Sequence, residues 1–311
     1  MNTWGGLGAI FLWSATFAFA RSLSEQVGPL SGGASAYLIA GAFCLLRIAC
    51  SPSPMTRWRQ LPPGYLFGCG FLFVFYTAAV YLAVGLSRTR EQLLEIALVN
   101  YLWPALTVLG STLLLQKRAS VWLAPGTALA LSGVFLVMTQ GAQLSKITLL
   151  EHVQSNPAAY AMAFLAAISW ALYSNLTRRW TQAKNDGAVE LFIPITGLVL
   201  LGLRYLLHES GHWNLRAAGE ATTLAAITAL AYFLWDASMR KGNLLLVAVF
   251  SYFTPLVSTL VSCAYLGVSP GPRLWLGCLL LVSGSLLTWK SVSEAPALNP
   301  PKVLRPEVLA D

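Results

Sequence analysis

The chain has 311 residues, of which 56% are hydrophobic and only 10% charged, with a net charge of +8. A soluble globular domain carries about 25% charged residues, so this composition excludes one and points to an all-α polytopic membrane protein. The basic excess does not mark a nucleic-acid partner, because it sorts by membrane side once the spans are placed.

A helix of roughly 20 apolar residues crosses roughly 30 Å of hydrocarbon. Ten runs meet that length: Trp4 to Leu23, Leu30 to Ala49, Tyr65 to Leu86, Gln92 to Leu115, Val121 to Met138, Ala158 to Arg178, Ala188 to Leu207, Thr222 to Met239, Leu244 to Leu266, and Leu274 to Trp289. The first is read as a retained helix and not a cleaved signal. No basic residue precedes its apolar part, and its Trp13 and Arg21 reappear 157 positions later as Trp170 and Arg178. With ten spans both termini share a side that carries 13 of the 20 Lys and Arg, against 7 opposite, which places both termini in the cytoplasm. The longest polar interruption, Gln140 to Pro157, divides the chain. Residues 1–140 form a first five-helix repeat, 141–157 a connecting loop and 158–290 a second repeat, while 291–311, rich in proline and charge, read as a disordered cytoplasmic tail.

The fourth run holds Asn100-Tyr101-Leu102-Trp103-Pro104, where a lipid-facing helix would carry Leu, Ile and Val. Proline removes a backbone donor and clashes with the carbonyl four residues back, so a kink or break is expected near Asn100. On a 100° wheel Gln92, Asn100, Trp103, Thr107 and Ser111 share a face. The stripe recurs at an offset of 151, which turns Asn100 into Ser251, Trp103 into Thr254, Pro104 into Pro255, Thr107 into Ser258 and Ser111 into Ser262. The same offset matches Thr77 with Thr228, Tyr81 with Tyr232, Tyr101 with Tyr252, Gly126 with Gly277, and Ser132-Gly133 with Ser283-Gly284. A duplicated unit of five spans enters the membrane from the opposite side. The expected architecture is therefore ten transmembrane helices in two inverted repeats, with a central cavity at their interface. Gly64 and Gly68, and the glycines at 126, 133, 277 and 284, are expected at close helix contacts.

The candidate substrate-binding residues lie inside the spans. Thr77 and Tyr81 share a face of the third, Trp13 lies in the first, Trp170 and Tyr173 in the sixth, and Thr228, Tyr232 and Trp235 share a face of the eighth. Trp13, Tyr81, Trp103, Trp170, Tyr232 and Trp235 would stack on an apolar side chain. Asn100, Tyr101, Ser251, Tyr252 and Thr254 would meet a polar head group, with Pro104 and Pro255 as hinges. Two acids within spans, Glu95 and Asp236, are singled out. Glu95, beside Arg88 and Arg90, and Asp236, beside Arg240 and Lys241, read first as near-interface ion pairs and second as proton or ion coupling sites.

Three features are set aside or kept as rivals. The five cysteines, Cys44, Cys50, Cys69, Cys263 and Cys278, are odd in number and lack CxxC spacing, so they read as small packing residues. His208-Glu209-Ser210-Gly211-His212 satisfies HExxH, the spacing of a zinc hydrolase, but lies at a loop, contains a glycine and has no evident third ligand. A scaffold without flux would explain neither the duplicated stripes nor the paired prolines. No cofactor is implied.

Ten spans, a five-plus-five inverted repeat and a proline in the fourth and ninth helices resemble the drug/metabolite transporter superfamily with its EamA-like fold. More narrowly, Leu12-Trp13-Ser14, Val99-Asn100-Tyr101-Leu102-Trp103-Pro104, and Gly242-Asn243 followed by Ser251-Tyr252-Phe253-Thr254-Pro255 look like the YddG-type aromatic amino acid exporters of bacterial inner membranes. The resemblance covers nearly the whole chain up to Trp289. It implies a basket-like bundle, working as a monomer in the lipid bilayer, that exports aromatic and other neutral amino acids. The rival within the superfamily is an exporter of bulky cationic drugs, which calls for a buried carboxylate such as Glu95.

Overall fold

Each apolar run is largely helical where it is described in the computed structural model, which covers residues 2–51, 58–139, 146–181, 187–258, 260 and 271–293. In chain order the helices are α1 (Asn2–Val27), α2 (Pro29–Ala49), α3 (Gly64–Leu86, opening on a wide π turn over Gly64–Cys69), α4 (Arg90–Asn100), α5 (Trp103–Leu114) and α6 (Leu123–Met138). There follow α7 (Lys146–Ser155), α8 (Pro157–Trp180), α9 (Val189–Leu206), α10 (Leu215–Lys241), α11 (Leu244–Ser258) and α12 (Pro272–Lys290). A two-residue antiparallel ladder, β1 (Arg118–Ala119) with β2 (Val292–Ser293), is the one sheet among the described residues.

Among the described residues, seven stretches are long and apolar enough to span a bilayer: α2, α3, α4 with α5, α8, α9, α10 and α12. Helices α6 and α11 are apolar but shorter, and α1 has 26 residues. Ser262 and Cys263, the end of the ninth run and the tail from 294 onward lie outside the described residues. The four described cysteines are free thiols.

The start signals are local. The Thr89 side chain accepts from Gln92 N at 3.1 Å, and Gln92 Oε1 accepts in return from Arg88 N at 2.9 Å, a reciprocal cap that opens α4. Gln92, which the wheel put on the polar stripe, is occupied there. Asn214 caps α10 through Ala217 N at 2.8 Å, and Asn243 caps α11 through Leu246 N at 3.1 Å. The expected breaks occur as well. Tyr101 and Leu102 form a turn between α4 and α5, with Pro104 in the first turn of α5, where its missing N–H costs nothing. In α11 the residues Ser251–Phe253 tighten to a 3₁₀ turn immediately before Thr254 and Pro255. Pro194 differs, being carried inside the continuous helix α9.

The closest packing joins α6 to α12, α2 to α9, α1 to α10 and α3 to α8. Exchanging first-half for second-half spans maps the α1–α10 contact onto α8–α3 and the other two onto themselves. The α6–α12 crossing repeats this at the atomic level. A Cβ on Gly133 would meet the Gly277 carbonyl at 2.7 Å and Leu281 Cα at 2.8 Å, while one on Gly284 would meet the Gly126 carbonyl at 2.7 Å and Ala130 Cα at 2.8 Å. Each of these contacts is the other moved by the offset of 151. Gly64 and Gly68 also serve close approach, since a Cβ on either would meet the Trp180 ring at 3.1 or 3.0 Å. Outward faces carry Phe11, Phe43, Phe67, Phe71, Leu113, Leu198 and Leu279, all exposed, as helices bathed in lipid do.

Candidate functional site

Where α1, α3, α5, α8 and α10 cross, their aromatic side chains converge on one centre. Trp170 is the hub. Its ring lies 5.8 Å from Trp13, 6.3 Å from Trp103, 5.6 Å from Trp235, 5.9 Å from Tyr232, 5.0 Å from Tyr173 and 4.5 Å from Tyr76. Trp13 also meets Trp235 at 5.2 Å and Tyr232 at 5.4 Å, and Trp103 meets Trp235 at 5.4 Å. Trp170 and Trp235 are 1% and 0% exposed. All six residues expected to stack therefore sit in or beside one cluster, Tyr81 joining through Tyr37 at 6.4 Å. The rings fill the centre by touching one another.

Among the described residues, two buried polar atoms at this cluster lack a partner, the Asn100 Oδ1 acceptor at the helix break and the Trp235 Nε1 donor. A buried unpaired donor or acceptor costs about 1–3 kcal/mol. Tyr76 joins them, its hydroxyl within interaction range of the Asn100 side chain. Thr77 is buried and donates to the Phe73 carbonyl at 3.2 Å.

The cluster is flanked by a charged lock. Asp236 accepts from Arg240 Nε at 2.8 Å, from Tyr65 Oη at 2.8 Å and from Tyr173 Oη at 3.4 Å. Tyr65 in turn accepts from Ala188 N at 3.0 Å, and Arg178 Nη1 donates to the Arg240 carbonyl at 2.7 Å. These contacts tie α3, α8, α10 and the approach to α9 together. The ion pair read from the sequence for Asp236 is therefore present, but buried and fully hydrogen-bonded.

Other expectations move. Tyr101 and Tyr252 lie with Val134, Val137, Leu256 and Leu281 in a separate apolar cluster. Ser251 Oγ is spent on the Val247 carbonyl at 2.8 Å, and the Thr254 carbonyl accepts from Ser14 Oγ at 3.3 Å, which pins α1 to the break in α11. Glu95 does not take an arginine among its described partners. His152 Nδ1 stands 3.1 Å from its Oε2, and Tyr160 Oη donates to the same oxygen through a very short hydrogen bond. The Arg90 side chain lies outside the description. The Glu95 group packs among Ala83, Ile96 and Ala163, in a cluster distinct from the aromatic one.

The HExxH reading fails on Glu209. Its carboxylate accepts from Leu30 N at 3.1 Å and Ser31 N at 2.6 Å, capping α2 from 178 residues away in sequence. An acid held at a helix N-terminus by two amides is stabilised there as a cap. Among the described residues no group of three or more His, Cys, Asp or Glu is arranged to hold a metal.

Sequence reasoning missed Tyr37, Phe73, Tyr76 and Asn175. Tyr76 adjoins Thr77 and Tyr37 is a lone polar-tipped aromatic in a small-residue run, so both carried a signal. Asn175 Nδ2 donates to the Thr107 carbonyl at 3.0 Å, in space that Gly110 leaves open. Phe73 had no signal at all.

The EamA-like transporter family matches residues 3–139 and again 157–290. This chain belongs to that family. It is a membrane transporter. The chain is 32% identical to the aromatic amino acid exporter YddG of Escherichia coli (strain K12), over 91% of this chain and 95% of that protein. The Salmonella typhimurium exporter of the same name is also 32% identical, with 91% and 95% covered. A solved crystal structure superposes with a TM-score of 0.75 at 28% identity, covering 92% of this chain and 96% of that one.

Proposed function

We propose that this transporter exports aromatic and other neutral amino acids from the cytoplasm by alternating access. It does so as a monomer with ten crossings, in a bacterial inner membrane, with both termini cytoplasmic. The observation that carries the reading is the aromatic cluster with its two unpartnered polar atoms. Five helices supply flat rings that stack on a side chain, while Trp235 Nε1 offers a donor to a carboxylate and Asn100 Oδ1 an acceptor to an ammonium. The two relatives named as aromatic amino acid exporters support the substrate class.

The two matches of the family to 3–139 and 157–290, and the exchange symmetry of the helix contacts, support two inverted halves over 1–140 and 158–290. Pro104 and Pro255 stand at the breaks about which those halves rock. The Asp236 lock closes one mouth of the path and opens in each cycle. Of the two acids considered for coupling, Asp236 borders the cluster and Glu95 packs in another, so a coupling role falls to Asp236 first.

The test is uptake of radiolabelled phenylalanine into proteoliposomes of the pure protein, with and without a pH gradient and with a drug cation as competitor. Uptake is expected, and it should fall sharply in Asn100→Ala and Trp103→Ala. Folded variants that transport like the parent would remove the site assignment, and dominance of the cation would favour the drug exporter.

A further inference from the structure

Helices α3 and α8 pack side by side and antiparallel, and each end of that pair holds a buried carboxylate. At one end Gly64, which opens α3, lies against Trp180, which closes α8. The Asp236 lock is here, with Tyr65 from α3, Tyr173 from α8 and Arg240 from α10 around one acid. At the other end Asn156, the cap of α8, donates through Nδ2 to the carbonyl of Leu86, the last residue of α3, at 2.8 Å. That end carries Glu95, which is 2% exposed. It accepts from Tyr160 Oη of α8, and its two oxygens stand 3.2 and 3.1 Å from His152 Nδ1. The 23 residues of α3 set the two ends about 34 Å apart, a full hydrocarbon thickness.

The two sites share a chemistry, a buried acid that accepts from a tyrosine of α8 and faces a basic side chain. Both also join the two halves. Tyr65 of the first meets Asp236 of the second, and Glu95 of the first meets Tyr160 of the second, with His152 on the connecting helix α7. If the halves rock, contacts of this kind break at one face while they hold at the other. They differ in the base. Arginine keeps its charge throughout the physiological range, whereas imidazole is the side chain whose ordinary charge change falls between pH 5 and 8.

We propose that Glu95, Tyr160 and His152 form a second lock, closing the mouth opposite Asp236, the periplasmic one in the orientation above, and that His152 makes its release pH-dependent. This rests on the alternating-access reading above. With the imidazole protonated, a cation meets the buried carboxylate and the hydrogen bond is charge-assisted on both sides. With it neutral, the carboxylate is left among Ala83, Ile96 and Ala163 with neutral donors only, and the lock weakens. Acid holds this mouth shut and alkali frees it. The ionisable residues of the elements packed here are few: Tyr160 on α8, Lys146 and Glu151 on α7, and Arg88, Arg90 and Glu91 where α4 opens. The last turn of α3 and all of α6 carry none.

Phenylalanine uptake into proteoliposomes held at one pH on both faces tests it, since no gradient then drives transport and the orientation of the protein does not matter. In the parent the maximal rate should be about fivefold higher at pH 8 than at pH 6, the difference between a charged and a neutral hydrogen bond. The half-saturating concentration should stay within about twofold, because the rings form another cluster. His152→Gln keeps a donor without the charge, so its rate should be high at both pH values and differ by less than about twofold. A flat parent rate, an undiminished pH dependence in His152→Gln, or a change carried by the half-saturating concentration alone overturns the proposal. Glu95→Gln, which removes the carboxylate, should flatten the same profile if His152→Gln does not fold. A second readout needs no substrate: the gap in melting temperature between the parent and His152→Gln should be wider at pH 6 than at pH 8, because the stabilising charge is lost as pH rises. Equal gaps overturn the lock. Absence of phenylalanine uptake by the parent sinks the amino acid reading instead, and the melts then decide the lock alone.

Discussion

Replacing Asp236 by alanine removes the acceptor of three hydrogen bonds at once, from Arg240, Tyr65 and Tyr173. The side chains of Asp236 and Arg240 are only 2% and 8% exposed, so water does not replace what is lost. The buried guanidinium keeps its charge but loses the Asp236 carboxylate, and two tyrosine hydroxyls lose their partner. Breaking a buried ion pair on one side costs about 3–5 kcal/mol. At roughly 2–4 °C of melting temperature per kcal/mol, Asp236→Ala should melt roughly 6–20 °C below the parent in detergent. The double variant Asp236→Ala/Arg240→Met removes the other half of the ion pair as well. It should recover a large part of the loss, a coupling of more than about 1 kcal/mol between the two sites. The assay is a thermal melt followed by size exclusion, paired with phenylalanine transport. A single variant that melts within about 2 °C of the parent, or a double variant as unstable as the single, would refute the lock as a coupled buried unit.

Three further outcomes follow from the same geometry. Gly133→Leu and Gly284→Leu place side chains against the partner backbone at image-related points, so both should abolish folded monomer in size exclusion, while Gly202→Ala, with nothing within 4 Å, should not. Trp170→Phe keeps an aromatic at the hub but trims its contacts, and should raise the half-saturating phenylalanine concentration by about 2–10-fold, the worth of one aromatic pair. Glu209→Ala removes the cap of α2 and should cost about 1–2 kcal/mol in melting experiments, with no change in metal content by elemental analysis.

Much of this protein was legible before any coordinates. The spans follow from runs of apolar residues, because a helix satisfies its own backbone within four residues and needs only enough apolar length to sit in lipid. The breaks follow from Pro104 and Pro255 for the same local reason, and the caps from Thr89, Asn214 and Asn243. The glycine contacts of α6 and α12 were also predictable, since the offset of 151 betrayed the duplication that places them face to face. So were the rings that gather around Trp170, as polar-tipped aromatics in mid-span stand out from a lipid-facing background.

Which polar group meets which was decided only by the tertiary structure. Glu95 meets His152 and Tyr160 among its described partners, Glu209 caps α2 from within a zinc-like motif, and Tyr101 and Tyr252 join a separate apolar cluster. Tyr37 and Tyr232 meet across 195 residues, and Tyr65 and Asp236 across 171. Periodicity reports the face of a helix, never its neighbour. A buried hydroxyl or carboxylate must find a partner on whichever helix packing brings near, and that choice depends on relative helix placement, which no local pattern encodes.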